Sequence, residues 1–264
     1  MSEAARGALA MPTVPTLRSG IQSIRVCRYD APLNQYRDIL AMQNVVAIPA
    51  NPALVNSTED FLHAIDHGKP AAELFITMVD RLTDRMLGLF LLEPAQMTEL
   101  SGGQRKIIDF AVSTASKASS MLTRQIYKKV SNAEFAPIAS NVRSMYWPAG
   151  DDNDQHPAIA FPVSASFAEE FRRAADAAEG GRGTSEVALI SKVMDQLTDE
   201  ILDNVFLAQT REVKIGFVTQ KALNVGIEGS RKAIHAVNHK VLRGLGDDEL
   251  KGFMGHYSQI VTTR

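Results

Sequence analysis

The sequence predicts an all-α protein made of two tandem copies of an approximately four-helix unit, packed as a pseudo-twofold helical bundle, with a short β-strand near the N-terminus. Three observations predict it. Apolar residues recur at i, i+3, i+4 spacing along most of the chain, which lays one stripe on one side of a helix. The motif D-R-L-T-D at Asp80 returns as D-Q-L-T-D at Asp195, and between Leu74 and Leu92 seven of nineteen positions are identical to Leu189 through Leu207. Gly, Pro, Ser and Thr gather between the periodic stretches, where turns need them.

Residues 1–48 form a tail and lead-in segment, with an Ala-, Pro- and Thr-rich stretch before Arg18 and a strand-like run from Ile21 to Tyr29. Unit A, residues 49–147, opens with a helix for which Ser57 or Thr58 supplies the cap and Gly68 the end. The stripe Phe75, Met78, Val79, Leu82, Met86, Leu89 and Phe90 defines the next helix. A long helix follows from Ser101 and Gln104, which have capping-box spacing, and Ala133 to Met145 closes the unit.

An acidic, proline-flanked linker covers residues 148–159. Unit B, residues 160–264, repeats the pattern: Ser166 and Glu169 cap its first helix, Ile190, Val193, Met194, Leu197, Ile201 and Val205 stripe its second, a long helix runs from about Val213 to Leu242, and Asp247 to Ile260 closes it. The match has an offset of 115 residues in the later helices and 110 upstream, where Pro52 pairs with Pro162, so a five-residue insertion falls in Glu179 to Thr184.

A chain of 264 residues with 45% hydrophobic content has enough apolar surface for a buried core. The net charge of -2 excludes a whole-chain pull toward nucleic acid or anionic lipid, so any such partner has to be read by a local patch. A single cysteine, Cys27, excludes an internal disulfide and a cysteine zinc site. The longest apolar run, Met86 to Leu92, is far short of a membrane span. The opening residues lack a secretory signal pattern, so a cytoplasmic location is expected.

L-S-G-G-Q, Leu100 to Gln104, resembles the signature sequence of ABC-transporter ATPases. That signature works beside a phosphate-cradling G-x-x-x-x-G-K-[ST] loop, and the single Gly-Lys pair here, Gly68 and Lys69, leads into Pro70, so the segment reads as a helix cap. The paired D-x-x-x-D helices, with Asp80, Asp84, Asp195 and Asp199, resemble the squalene and phytoene synthase family of prenyl transferases. That resemblance implies magnesium held on diphosphate, although the tyrosine and arginine motifs of the family have no counterpart. The same acids look similar in outline to PhoU-like phosphate regulators, which bind metal clusters. These four aspartates are the candidate divalent-metal ligands; no other cofactor is expected.

At about 100° per residue, Asp80 and Asp84 point away from the apolar stripe, which makes a solvated acidic face the plainer reading. Two histidine pairs, His63 with His67 and His235 with His239, have the i, i+4 spacing that can chelate a metal, but neither carries the glutamate of a zinc protease. No nucleophile, base and orienting group can be assembled, which disfavours a conventional enzyme.

Charge is divided by helix. Residues 102–130 carry Arg105, Lys106, Lys117, Arg124, Lys128 and Lys129 against Asp109, and residues 213–243 carry Lys214, Lys221, Arg231, Lys232, Lys240 and Arg243 against Glu228. Either these basic helices complement the acidic ones, or they lie side by side and bind the phosphates of nucleic acid. The leading expectation is a non-catalytic interaction protein with an assembly, regulatory or scaffolding role, whose partner is another protein or a second copy.

Overall fold

The computed structural model describes residues 44–97, 101–148, 156–211 and 216–263. The run from Ile21 to Tyr29, Cys27, Lys214 and most of the acidic linker lie outside them. The all-α expectation holds for the described chain, which is mostly helical with a short antiparallel sheet. Among these residues no helix is long and apolar enough to cross a membrane.

The elements recur in order. Strand β1 (Asn44–Pro49) leads into α1 (Pro52–Asp66) and α2 (Ala72–Leu87). A π-turn over Gly88–Leu92 carries α2 into α3 (Glu93–Met97), followed by α4 (Gly102–Tyr127), α5 (Asn132–Met145) and β2 (Tyr146–Trp147). The second half runs β3 (Ala158–Pro162), α6 (Ala165–Glu179), α7 (Val187–Ile201), a π-turn over Leu202–Leu207, α8 (Ala208–Arg211), α9 (Phe217–Leu242), α10 (Asp247–Ser258) and β4 (Val261–Thr263).

The helix starts differ from expectation. Asn51 caps α1, with its Oδ1 accepting from the Leu54 amide, while Ser57 and Thr58 sit inside the helix and donate to the Leu54 carbonyl. Ser164 caps α6 and accepts from the Phe167 amide, so Ser166 and Glu169 are not its cap. Gly68 and Gly181 take φ of 64° and 69° just past the ends of α1 and α6, the left-handed conformation that glycine adopts without cost. These caps set Asn51 against Ser164 and Gly68 against Gly181, three residues away from the Pro52–Pro162 register. Pro49 is instead the counterpart of Pro162, each ending its strand. The Ser101–Gln104 capping box forms as expected, with the Gln104 amide donating to Ser101 Oγ and the Ser101 amide to Gln104 Oε1.

The sheet has the order β2-β3-β1-β4, so each half's closing strand pairs with the other half's opening strand. β1 and β3 pair antiparallel at its centre, with Val46 opposite Phe161 and Ala47 opposite Ala160. Val45, Val46 and Ile48 are buried, as are Ile159 and Phe161. Burial of successive residues means that both faces of these strands are covered, which accounts for continuous apolar runs in place of alternation.

One core runs through both halves. Phe61, Phe75 and Phe135 pack at ring-centroid distances of 5.0 to 5.8 Å, and Tyr127 meets Phe75 at 4.6 Å. Phe253 and Tyr257 pack at 4.7 Å in the second half, and Phe90 of the first half stacks on Tyr257 at 5.6 Å. The first π-turn is tied across the halves: the Tyr257 hydroxyl donates to the Phe90 carbonyl at 2.7 Å, and His256 Nε2 lies 2.9 Å from the Leu89 carbonyl. A π-turn breaks the i to i−4 ladder, so partners of this kind satisfy groups that an α-helix would satisfy internally.

The two longest helices, α4 and α9, make the most extensive helix-to-helix contact among the described elements. They run antiparallel: Gly226 lies against the Leu122 side chain, and Gly244, near the end of α9, lies against Gln104 at the start of α4. A Cβ on Gly226 would collide with Leu122 Cδ1, so the helices approach closely only because that side chain is missing.

Candidate functional site

The structure joins two features that the sequence presents separately. Asp195 and Asp199 on α7 face His235 and His239 on α9. Asp195 Oδ1 accepts from Asn238 Nδ2 at 3.0 Å, and its Oδ2 lies 2.8 Å from His239 Nε2. His235 Nε2 approaches Asp199 Oδ1 at 3.2 Å. Arg231 bridges Asp199 and Asp203, each at 3.0 Å, though its Nε meets Asp199 as an ion pair without hydrogen-bond alignment. Asp195 is only 19% exposed, while Asp199, one turn further along α7, is 42% exposed.

At the same spacing in the first half, Asp80 meets Arg124 at 3.7 Å, with Glu73 also 3.8 Å from that guanidinium. The 115-residue spacing sets Asp80 against Asp195 and Arg124 against His239, so each aspartate meets the long helix at the corresponding position through a different side chain. Asp84 is exposed and has no partner among the described residues. His63 and His67 are exposed and stack at 3.9 Å. Among the described residues no group of three or more His, Cys, Asp or Glu is disposed to hold a metal ion.

An acidic pocket of about 230 Å³ lies beside this cluster, walled by Ser164, Glu170, Gln196, Asp199, Glu200 and Asp203. A hydrogen bond from Lys192 at 2.7 Å holds the Glu170 carboxyl below its usual range. Lys192 pairs with Glu170, and Arg231 with both Asp199 and Asp203.

The basic residues divide into two sets. Arg124, Arg231 and Lys232 are paired with carboxylates. Arg105, Lys106, Lys117, Lys128, Lys129, Lys221, Lys240 and Arg243 are exposed and form no ion pair with a described residue. At about 100° per residue, Phe110, Lys117 and Met121 fall within about 40° of one another on α4, and so do Lys221, Val225 and Lys232 on α9. The antiparallel contact at Leu122 and Gly226 turns both stripes to one side of the helix pair. Phe110 is 70% exposed, Met121 64% and Val225 66%.

Compared with protein-family models, with curated proteins and with solved structures, the chain matches none.

Sequence reasoning missed Gln209. It follows the second π-turn on α8, is buried, and carries a side-chain oxygen with no hydrogen-bond partner. Nothing in its neighbourhood, L-A-Q-T-R, distinguishes it from an exposed helical glutamine. The hydrogen bond between Thr83 and Ser119 at 2.9 Å, which joins α2 to α4, was equally silent.

Proposed function

We propose that this chain is a non-catalytic helical interaction protein, with an assembly, regulatory or scaffolding role in the cytoplasm, and that its partners dock on the outward side of α4 and α9. The observation that carries the reading is the exposure of Phe110, Met121 and Val225 on one face of two adjacent helices, set among lysines. Large exposed apolar side chains rimmed by charge mark interaction surfaces more often than isolated surface residues do. The partner surface is apolar with an acidic rim, in a second protein or a second copy.

The aspartates support this by what they are already doing. Asp80, Asp195 and Asp199 join helices, and a group engaged in that way is not held ready for a substrate. The recurring element order supports reading the two halves as retained copies of one unit.

Lysine cross-linking with mass spectrometry tests the proposal at rising protein concentration and in cells producing the tagged chain. Intermolecular links should start from Lys106, Lys117, Lys221 and Lys232 and disappear in Phe110→Asp. A strictly monomeric chain with intramolecular links alone, both purified and in cells, would overturn it.

A second reading, nucleic-acid binding on the same side, is favoured by the row of exposed basic residues without described partners. Mobility shifts at low ionic strength should then weaken steeply as salt rises and weaken further in Lys117→Glu with Lys232→Glu. Failure to bind at low salt removes this reading. The metal-dependent alternative through Asp80, Asp84, Asp195 and Asp199 has no observation in its favour.

A further inference from the structure

We infer that the outward side of α4 and α9 receives a single α-helix of a partner protein, one that carries a pair of adjacent acidic residues every eleven positions with apolar residues between the pairs. The inference rests on the docking face proposed above and specifies what occupies it. Lys106, Lys117 and Lys128 recur at intervals of eleven residues along α4, and Lys221, Lys232 and Arg243 do the same along α9. Eleven residues make about three turns of helix, so each set keeps to one side of its helix and steps along it by about 16.5 Å. Lys128 and Arg243 hold helical φ and ψ at the two C-caps, which carries the spacing through to the last member. All six side chains are exposed.

The register of the two helices brings the sets together. Gly226 lies against Leu122 and Gly244 against Gln104, and both contacts fix the same antiparallel alignment. In that alignment Lys106 stands level with Arg243, Lys117 with Lys232, and Lys128 with Lys221. They form three cationic rungs across the helix pair, spanning about 33 Å. Apolar residues fill the intervals: Phe110 and Ala236 between the first two rungs, Met121 and Val225 between the second and third, all four exposed. Among the described residues, Lys232 alone of the six cations has an ion-pair partner, Glu228 on its own helix at 3.4 Å.

Helix axes in contact lie about 8–10 Å apart, so both cations of a rung are within reach of acids on the two flanks of one helix laid along the seam. Residues i and i+1 of that helix point about 100° apart, one toward α4 and the other toward α9, and the pair returns to the same side after eleven residues. The ladder and a helix parallel to it therefore share one repeat, and that match selects the partner. A second copy offering the same face brings the same cations and is repelled. The phosphates of a nucleic acid would satisfy the rungs but leave Phe110, Met121 and Val225 without apolar cover, and a bilayer has no fixed repeat to match.

The test uses the full chain and two fluorescent peptides of about 27 residues, long enough in an alanine background to be helical alone. One carries Glu-Glu pairs eleven residues apart, with Leu four and eight residues after each pair. The other has the same composition with the pairs nine residues apart, which turns the middle pair to the opposite side. Anisotropy at low ionic strength should show the first peptide binding about tenfold more tightly than the second, a preference that Lys117→Glu with Lys232→Glu removes. Should that double variant fail to fold, the two peptides compared on the wild type decide alone. Equal affinities, or no binding of either peptide, overturn the inference. Duplex DNA or phosphatidylserine vesicles that bind where neither peptide does overturn it in favour of a polyanion. Failure of the docking face itself is read separately: intermolecular cross-links from Lys117 and Lys232 that persist while the peptides fail leave the face standing and reject the helix.

Discussion

Replacing Asp195 by alanine separates a structural carboxylate from a metal ligand. Its carboxylate accepts from Asn238 at 3.0 Å and from His239 at 2.8 Å, and Asn238 is 6% exposed. The substitution removes two hydrogen bonds to a charged acceptor and leaves a buried amide unpaired. A hydrogen bond to a charged group contributes about 1.5–3 kcal/mol, and the partial exposure of Asp195 brings the expected loss to about 2 kcal/mol. For a chain of this size that corresponds to a melting point lower by about 4–8 °C. Asp84→Ala should change stability by less than about 0.5 kcal/mol, because the side chain is exposed and unpaired. Urea unfolding followed by circular dichroism measures both variants, in chelator and again with magnesium, manganese and zinc. Equal losses for Asp84→Ala and Asp195→Ala would refute the structural role, and so would a wild-type gain of several degrees with one metal that both variants lack.

Other perturbations reach other parts of the fold. Gly183→Ala would set a Cβ 2.8 Å from the Cβ of the fully buried Leu250, an atom fixed by its own backbone. The loop before α7 or helix α10 would have to move, at about 1–3 kcal/mol, which thermal melting would show. Burial raises the Tyr257 phenol above its usual range, with Glu93 adding to the effect, and burial does the same for Tyr127. A group whose folded pKa is raised contributes stability below its unfolded pKa and loses it as pH rises. Unfolding free energy should therefore hold up to about pH 10 and fall beyond it, with tyrosinate absorbance appearing together with loss of helix.

The helices were legible in the sequence because their stripes are long. Phe75 through Phe90 and Ile190 through Val205 repeat the same period over several turns, and L-S-G-G-Q carries its own cap chemistry. The central strands were not legible. Val45 to Ile48 and Ile159 to Phe161 are short unbroken apolar runs, and a strand covered on both faces loses the alternation that would identify it. The caps of α1 and α6 were misplaced because Ser57, Thr58 and Ser166 fit the composition of a cap. The residues that do the capping, Asn51 and Ser164, lie in the turns just after the unrecognised strands.

The division between basic and acidic helices was visible as charge. What it could not show was which members meet. Asp195 pairs with His239 and Asn238 because of the rotation of α7 against α9, and that rotation is set by how these two helices pack on one another. The wheel of one helix contains no information about the wheel facing it. Gln209 was hidden for the same reason, since its burial follows from the π-turn and from the helices laid over it.

Hydrogen–deuterium exchange on the full chain, compared between dilute protein and protein that is self-associated or bound to a captured partner, tests the docking face most directly. Docking on the outward side of α4 and α9 should slow exchange within residues 106–121 and 221–236 and leave α1 and α6 unchanged. Protection centred elsewhere, on the acidic pocket beside Asp199 or on the sheet, would contradict it.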